Sequence, residues 1–481
     1  MTTAILHRSV RIFERYERTL RLLLFGAGLL FAAAFGLLFA GFGSWDMFSF
    51  LVASTIFLAA LSMARTYTRE ATLSDRRSFL AASLVVWIFL MISEAIFVHL
   101  GSTNGAEASQ FSSTAYFEAL SWILSLGAMA FLTLFRPAYL FLLFKGPLKW
   151  ATIFTVIAVI SCPLSPNKLY SLTMAFKLCV VVLTLFAIEE SSEGAKTVPT
   201  LFWALFVGIG MLVFAGFITP LLGPGEGGYT GGSRWGANIG LSGTAGMFLL
   251  LSLLYFILRK NPWFLAAAGF ALTVMLMVGG KGGILASFLS LMMFFVFLKN
   301  ARQALAACVI FTFVFALFVA FTPLGRVVQS YEQSGNGSTL TGRTNLWAAV
   351  WPEIKSKPFF GHGFRASRFV SSEVEGTFAE AGHIHNVVLE ILYNNGLAGL
   401  MPILIMNFVI VTSLGRALKQ PGSLESRYYA ASAMALYVHL LVWGITAPTF
   451  GSAADSRFMT FFTILLVGLY LGPNALREAC S

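Results

Sequence analysis

Four side chains in this sequence have the charge or titration behaviour needed to hold an anion and move a proton. They are Arg234 in GGSRWGANIG, Lys281 in VGGKGGI, Arg343 in TLTGRTNLW and His385 in GHIHNVVLE. Guanidinium and ammonium groups pair with phosphate or diphosphate, and arginine does so in bidentate fashion. A neutral imidazole is suited to take a proton from a hydroxyl near pH 7. Together they suggest transfer of a group from a diphosphate to an alcohol, with the fixed cations stabilising the leaving diphosphate. Asn386 stands next to His385 at the start of an apolar segment. There it would occupy a helix entrance, where partial positive charge and free N–H groups favour an anion.

Each residue also has a structural reading. Arg234 at a span end can snorkel its charge to the headgroups. Lys281 can be an ordinary turn residue, although glycines on both sides let backbone approach a ligand closely. Arg343 can pair with Glu332 or Glu353 inside its own loop, and a lone histidine is more often structural than catalytic. His385 stands out by closing the longest loop of the chain at a membrane boundary.

The elements that must position these groups are membrane helices. Of 481 residues 57% are hydrophobic and only 11% charged, against about 25% charged in an average soluble domain. Apolar runs long enough to cross a bilayer recur from Leu20 to Leu471. Spans are expected near 21–42, 47–64, 79–100, 115–135, 149–163, 169–188, 199–221, 238–258, 262–279, 282–298, 303–322, 386–413, 428–446 and 457–472. The fold class is therefore all-α, a polytopic integral membrane protein of about 12–14 transmembrane helices. The segment 136–148 is too short to span and is placed at the interface. Residues 1–322 are read as an N-terminal transmembrane bundle, 323–385 as a long periplasmic loop and 386–481 as C-terminal transmembrane helices.

Most short-loop basic residues fall at the N-terminus, 65–78, 136–149, 259–261, 299–303, 414–427 and the C-terminus, while 43–46 and 101–114 carry none. The positive-inside rule then makes both termini cytoplasmic. Residues 222–237, 279–283, 323–385 and 447–456 fall on the outer face, which gathers all four groups on one side. A loop as long as 323–385 tends to be functional or disordered. Trp347, Trp351, Phe359, Phe360, Phe364 and Phe369 argue for order by supplying apolar anchors, and 348–355 reads as a short surface helix.

Other functions are disfavoured by pattern. The net charge of +11 forms no basic stripe interleaved with aromatics, so no nucleic acid is expected. Cys162, Cys179, Cys308 and Cys480 contain no CxxC pair and read as small apolar fillers. The arginines ahead of the first apolar stretch precede a run too long for a cleavable signal core, so it is expected to stay as a transmembrane helix. Glu94 and Lys177 lie within spans, where charge is costly, but near the outer ends, where snorkelling is an alternative. His362, His383 and His385 with Glu380 have metal-ligand side-chain types. They lack ligand spacing and have cations nearby, so no metal and no other cofactor is expected.

The segment HNVVLEILYNNGLAG resembles the His-Asn, nine-spacer, Gly-x-x-Gly signature of the O-antigen ligase and polymerase superfamily, with His385, Asn386, Gly396 and Gly399 in register. Upstream, TLTGRTNLWAAVWPEIKSKPFFGHGF resembles the stretch before that signature, most nearly in the exopolysaccharide polymerase branch. The resemblance spans roughly 339–400. It implies a metal-independent glycosyltransferase on the periplasmic face of a bacterial inner membrane. The implied donor is an undecaprenyl diphosphate-linked oligosaccharide and the acceptor a glycan or glycolipid, with a chain-length regulator or flippase of the same pathway as a further partner. It implies His385 as base on the acceptor hydroxyl and outer-face cations holding the donor diphosphate. Arg234 corresponds in position to an arginine found before a span in the family, and Lys281 to an arginine in an Arg-Gly setting. Gly396 and Gly399 would permit close helix packing.

Polymerisation is the first reading, and ligation onto a lipid A core is the alternative. A transporter or flippase of the same lipid-linked sugars is the reading from another class. It predicts two related halves with broken helices and charges near the midplane, and no duplication is visible. A structural scaffold is a third reading, weakened by the cost of an outer cationic cluster.

Overall fold

The structure is a computed structural model, described over residues 76–100, 140, 142–222, 239–298, 343–372, 384–420, 422–451 and 455–472. The expected spans 21–42, 47–64, 115–135 and 303–322 lie outside these residues, as do Arg234, Glu380 and His383. Among the described residues there are helices and no strand. In chain order they are α1 (Arg76–Leu100), α2 (Lys149–Ser161), α3 (Lys168–Ser191), α4 (Val198–Leu222), α5 (Ile239–Arg259) and α6 (Pro262–Val278). Then come α7 (Lys281–Phe297), α8 (Arg343–Ser356), α9 (Val387–Lys419), α10 (Leu424–Gly444) and α11 (Ser456–Leu471).

Every expected span within the described residues coincides with one of these helices, and α8 matches the expected surface helix. The physical reason is the absence of water in hydrocarbon: only a helix satisfies each backbone group within its own segment. Lys168–Ser191, Gly194–Ile218, Gly240–Arg259 and Val387–Lys419 are long and apolar enough to cross a bilayer. The chain is a membrane-integral all-α protein.

Helix ends follow local chemistry. Asn167 caps α3 by accepting from the Tyr170 N–H at 3.0 Å, and Asn261 caps α6 through the Trp263 N–H at 3.0 Å, with Pro262 at the first helical position. Gly279 ends α6 in the left-handed region at φ 68°, and Gly280 leads straight into α7. The glycines of VGGKGG therefore break one apolar run into two helices joined by a two-residue turn.

Small residues let the helices approach. Gly243 of α5 faces the Trp443 indole of α10, and Gly246 faces Ser287 of α7 and His439 of α10. His439 is fully buried there, with Nε2 2.9 Å from the Gly243 carbonyl oxygen. It is a packing histidine that satisfies a backbone group, as buried polar groups require.

Helix α9 has 33 residues, about 50 Å at 1.5 Å per residue and longer than a bilayer core. It is interrupted at Gly396, whose φ of 61° and ψ of −160° are not helical. Before the break α9 buries Glu390, Asn394 and Asn395; after it, Leu397, Met401, Leu404, Phe408 and Val411 are exposed along a lipid-type face. The break divides a polar, protein-covered head from an apolar membrane stem.

Candidate functional site

The site is assembled from the entrance of α9. His385 sits one residue ahead of the N-cap with φ 56°, in the left-handed region that few non-glycine residues adopt. Such strain persists only where the surroundings over-determine it, and it clusters at functional sites. Two contacts hold the backbone on either side. The Trp347 indole Nε1 donates to the Ile384 carbonyl at 2.9 Å. Asn386 caps α9, its Oδ1 accepting from Val388 N at 3.0 Å and Leu389 N at 3.1 Å. The Asn386 oxygen is thus committed to the helix, which leaves its Nδ2 as the group able to face a ligand. Replacing Asn386 by alanine is expected to destabilise this end by about 1 kcal/mol, read as faster amide exchange at Val388 and Leu389.

Arg343 begins α8, one turn before Trp347. The indole bond from Trp347 to Ile384 therefore brings the Arg343 end of α8 to the residue next to His385. Glu353, one of its sequence-level ion-pair candidates, lies ten residues on, about 15 Å along the helix axis. There it stands 3.8 Å from His362 Nε2.

Lys281 joins the same end by a different route. It is the exposed first residue of α7. The next residue, Gly282, is so close to Thr446 that a methyl group there would meet its Cβ at 3.2 Å. Two residues before Thr446, Gly444 abuts Val387, where an added methyl would lie 3.0 Å from Cγ1. On the other side the Ser242 hydroxyl of α5 donates to the Gly280 carbonyl at 3.1 Å. The α6–α7 turn, the start of α5, the end of α10 and the entrance of α9 thus form one contiguous end of the bundle. Lys281, Arg343, His385 and Asn386 all belong to it.

Beneath this end lies a polar layer that sequence reading missed. The segment after α8 runs alongside the α9 break. The Leu397 and Ala398 N–H groups donate to the carbonyls of Pro358 (2.8 Å) and Phe359 (2.9 Å), and His362 N and Gly363 N donate to the carbonyls of Tyr393 (2.7 Å) and Asn394 (3.0 Å). Backbone groups freed by the break are paired by this segment, as burial demands. Arg365 follows with φ 61°. Its guanidinium Nη1 is 3.6 Å from Glu390 Oε1, the two side chains being 7% and 0% exposed, and its Nη2 donates to the Tyr170 hydroxyl at 3.3 Å. Burial works against the Arg365 charge, but the Tyr170 hydroxyl and the Glu390 carboxylate outweigh it and hold the guanidinium above its ordinary range. Ser367 completes the layer, donating from Oγ to Glu390 Oε1 at 3.2 Å and from its N–H to Asn394 Oδ1 at 2.8 Å. The available signal was Asn394-Asn395-Gly396, a turn-type tripeptide inside an apolar run.

Several sequence expectations are revised. Gly396 breaks the helix and packs against the Phe359–Phe360 backbone, not against another helix; Gly399 packs close to Asn395 and the Phe154 ring. Of the six aromatic anchors, Phe364 is buried, Trp347 is bound to Ile384 and Phe369 meets Tyr170 edge-on, while Trp351, Phe359 and Phe360 are exposed. Lys177 is buried against protein and does not snorkel. His362 stacks on the Tyr393 ring at 4.4 Å between centroids, with Nε2 3.0 Å from the Glu353 carbonyl. That engagement ties it to the far end of α8 and to the head of α9, away from Arg343. Arg457, also at this end, is paired to Asp455 and lies 5.5 Å from the Trp443 ring centre.

No curated protein matches the chain. A family model described as O-antigen ligase matches residues 266–404. That stretch contains Lys281, Arg343, His385 and Asn386, the α9 break and the buried layer beneath them; Arg234 falls outside it. The match over 266–404, under a third of the chain, supports a relation to the O-antigen ligase and polymerase superfamily.

Proposed function

We propose that the protein is a metal-independent glycosyltransferase that polymerises undecaprenyl diphosphate-linked oligosaccharide on the periplasmic face of a bacterial inner membrane. The observation that carries this reading is the convergence of Lys281, Arg343 and a strained His385 at one end of a membrane bundle. The basic residues of the intervening short loops support placing that end outside. Arg234 is proposed as a further donor-binding cation.

In this mechanism the imidazole of His385 takes the proton of the acceptor hydroxyl while the hydroxyl oxygen bonds to the anomeric carbon of the donor. The bond from that carbon to the diphosphate oxygen breaks, and its electron pair leaves with the diphosphate. Attack opposite the leaving group inverts the anomeric centre. Lys281 and Arg343, with the Asn386 amide, stabilise the charge that develops on the departing diphosphate.

Purified protein in nanodiscs, supplied with lipid-linked repeat units, tests the reading. A ladder of longer lipid-linked products is expected. Transfer only to an added lipid A core would replace polymerase by ligase, the reading that the matched family description favours. Net movement of intact donor across the bilayer without glycosidic product would replace both by a transporter. Lys281→Ala is expected to lower kcat/KM for the donor about 10- to 100-fold, the worth of one charged hydrogen bond. Lys281→Arg, which keeps the charge, should recover most of it; equal loss in both would remove Lys281 from the donor site.

A further inference from the structure

Arg365 is a cation in the segment that leads to His385, and from sequence it would pass for another diphosphate ligand. Its surroundings assign it elsewhere. The side chain is 7% exposed and directed at Glu390, which lies one turn inside α9 and is fully buried. Around the pair, three helices and the outer segment are tied together. The Ser161 hydroxyl at the end of α2 accepts from Phe364 N and from Asn395 Nδ2, each at 3.1 Å. Tyr170, near the start of α3, accepts from Arg365. Asn394 and Glu390, both in the head of α9, accept from Ser367. Arg365 also holds a left-handed backbone, as His385 does. Arg365 lies within the outer segment and His385 at its end, and Glu390 pairs with the first from the first turn of the helix that follows the second.

We propose that the Arg365–Glu390 pair is a positioning device: it locks the outer segment onto the head of α9 and so sets where His385 stands, without touching substrate. The proposal rests on the reading of His385 given above. A buried ion pair is a poor source of stability, because desolvation offsets its attraction and an apolar pair of similar volume often serves as well. What it supplies is directionality, since an ion pair whose Glu390 Oε1 also accepts from Ser367 and whose Arg365 Nη2 also donates to Tyr170 tolerates fewer arrangements than an apolar contact.

The test compares three forms of the full chain in nanodiscs: the double variant Arg365→Met/Glu390→Leu, the single variant Arg365→Lys, and wild type. The double variant is expected to keep its thermal unfolding midpoint and its KM for lipid-linked donor within twofold. Its kcat should fall at least tenfold. Amide exchange over 384–392, which includes the Val388 and Leu389 N–H groups capped by Asn386, should quicken while the rest of α9 is unchanged. Arg365→Lys should restore at least half of the kcat. The exchange readout does not involve catalysis, so it judges the pair even if His385 proves dispensable. The proposal is overturned if exchange over 384–392 and kcat both match wild type. It is equally overturned if KM alone rises tenfold, making Arg365 a substrate ligand, or if the unfolding midpoint collapses, making the pair purely structural.

Discussion

Turnover by His385→Ala is expected to fall between 10²- and 10⁴-fold, the usual range for losing a positioned general base. The KM for lipid-linked donor should barely change, since in the proposed mechanism the imidazole acts on the acceptor hydroxyl while Lys281 and Arg343 hold the donor diphosphate. Alanine carries a complication, because His385 has φ 56° and a left-handed alanine costs about 1–2 kcal/mol. His385→Asn separates the two effects. Asparagine tolerates the left-handed region through its short polar side chain but has no titrating nitrogen. If chemistry is the cause, both variants lose turnover alike and keep the exchange protection of α9. If backbone strain is the cause, asparagine recovers activity and alanine does not. Turnover within threefold of wild type in both, measured as lipid-linked product per minute, would make the histidine structural.

The second large effect is expected at Gly396. Its φ of 61° and ψ of −160° lie in a region open essentially to glycine alone, which costs other residues about 1–3 kcal/mol. Space is closed as well: a methyl group there would run into the Phe359 carbonyl and lie 2.7 Å from Phe360 N. Backbone on both sides cannot yield without breaking the bonds from Leu397 and Ala398 to Pro358 and Phe359. Gly396→Ala is therefore expected to destabilise the protein by about 3 kcal/mol or more, and to reduce turnover by releasing the outer segment. Gly415 lies in the same helix with open space around its Cβ position. Gly415→Ala should leave the unfolding midpoint unchanged or raise it, since alanine is the better helix former by about 1 kcal/mol. Equal midpoints for the two variants would mean that the break in α9 is not required.

The bundle was legible from the amino-acid sequence because each membrane helix is a local object. An apolar run of sufficient length must close its own hydrogen bonds in lipid, and a glycine such as Gly279, free to adopt a left-handed φ, ends a run locally. The entrance motif His385-Asn386 was legible for a similar reason, since a cap is decided by its own side chain and the two or three N–H groups that follow. What the sequence could not show was the partner of each charge. Arg365 and Arg343 are both arginines of the stretch between α7 and α9, and only tertiary contact makes one a buried partner of Glu390 and leaves the other at the end of the bundle near His385. Gly396 likewise reads as packing until the Pro358–Gly363 backbone is seen to take up the bonds that its turn releases. The physical reason is the range of the interactions. Helix formation and capping are settled within about four residues, whereas charge pairing and relief of strain depend on groups that the chain brings together from α2, α3, the outer segment and α9.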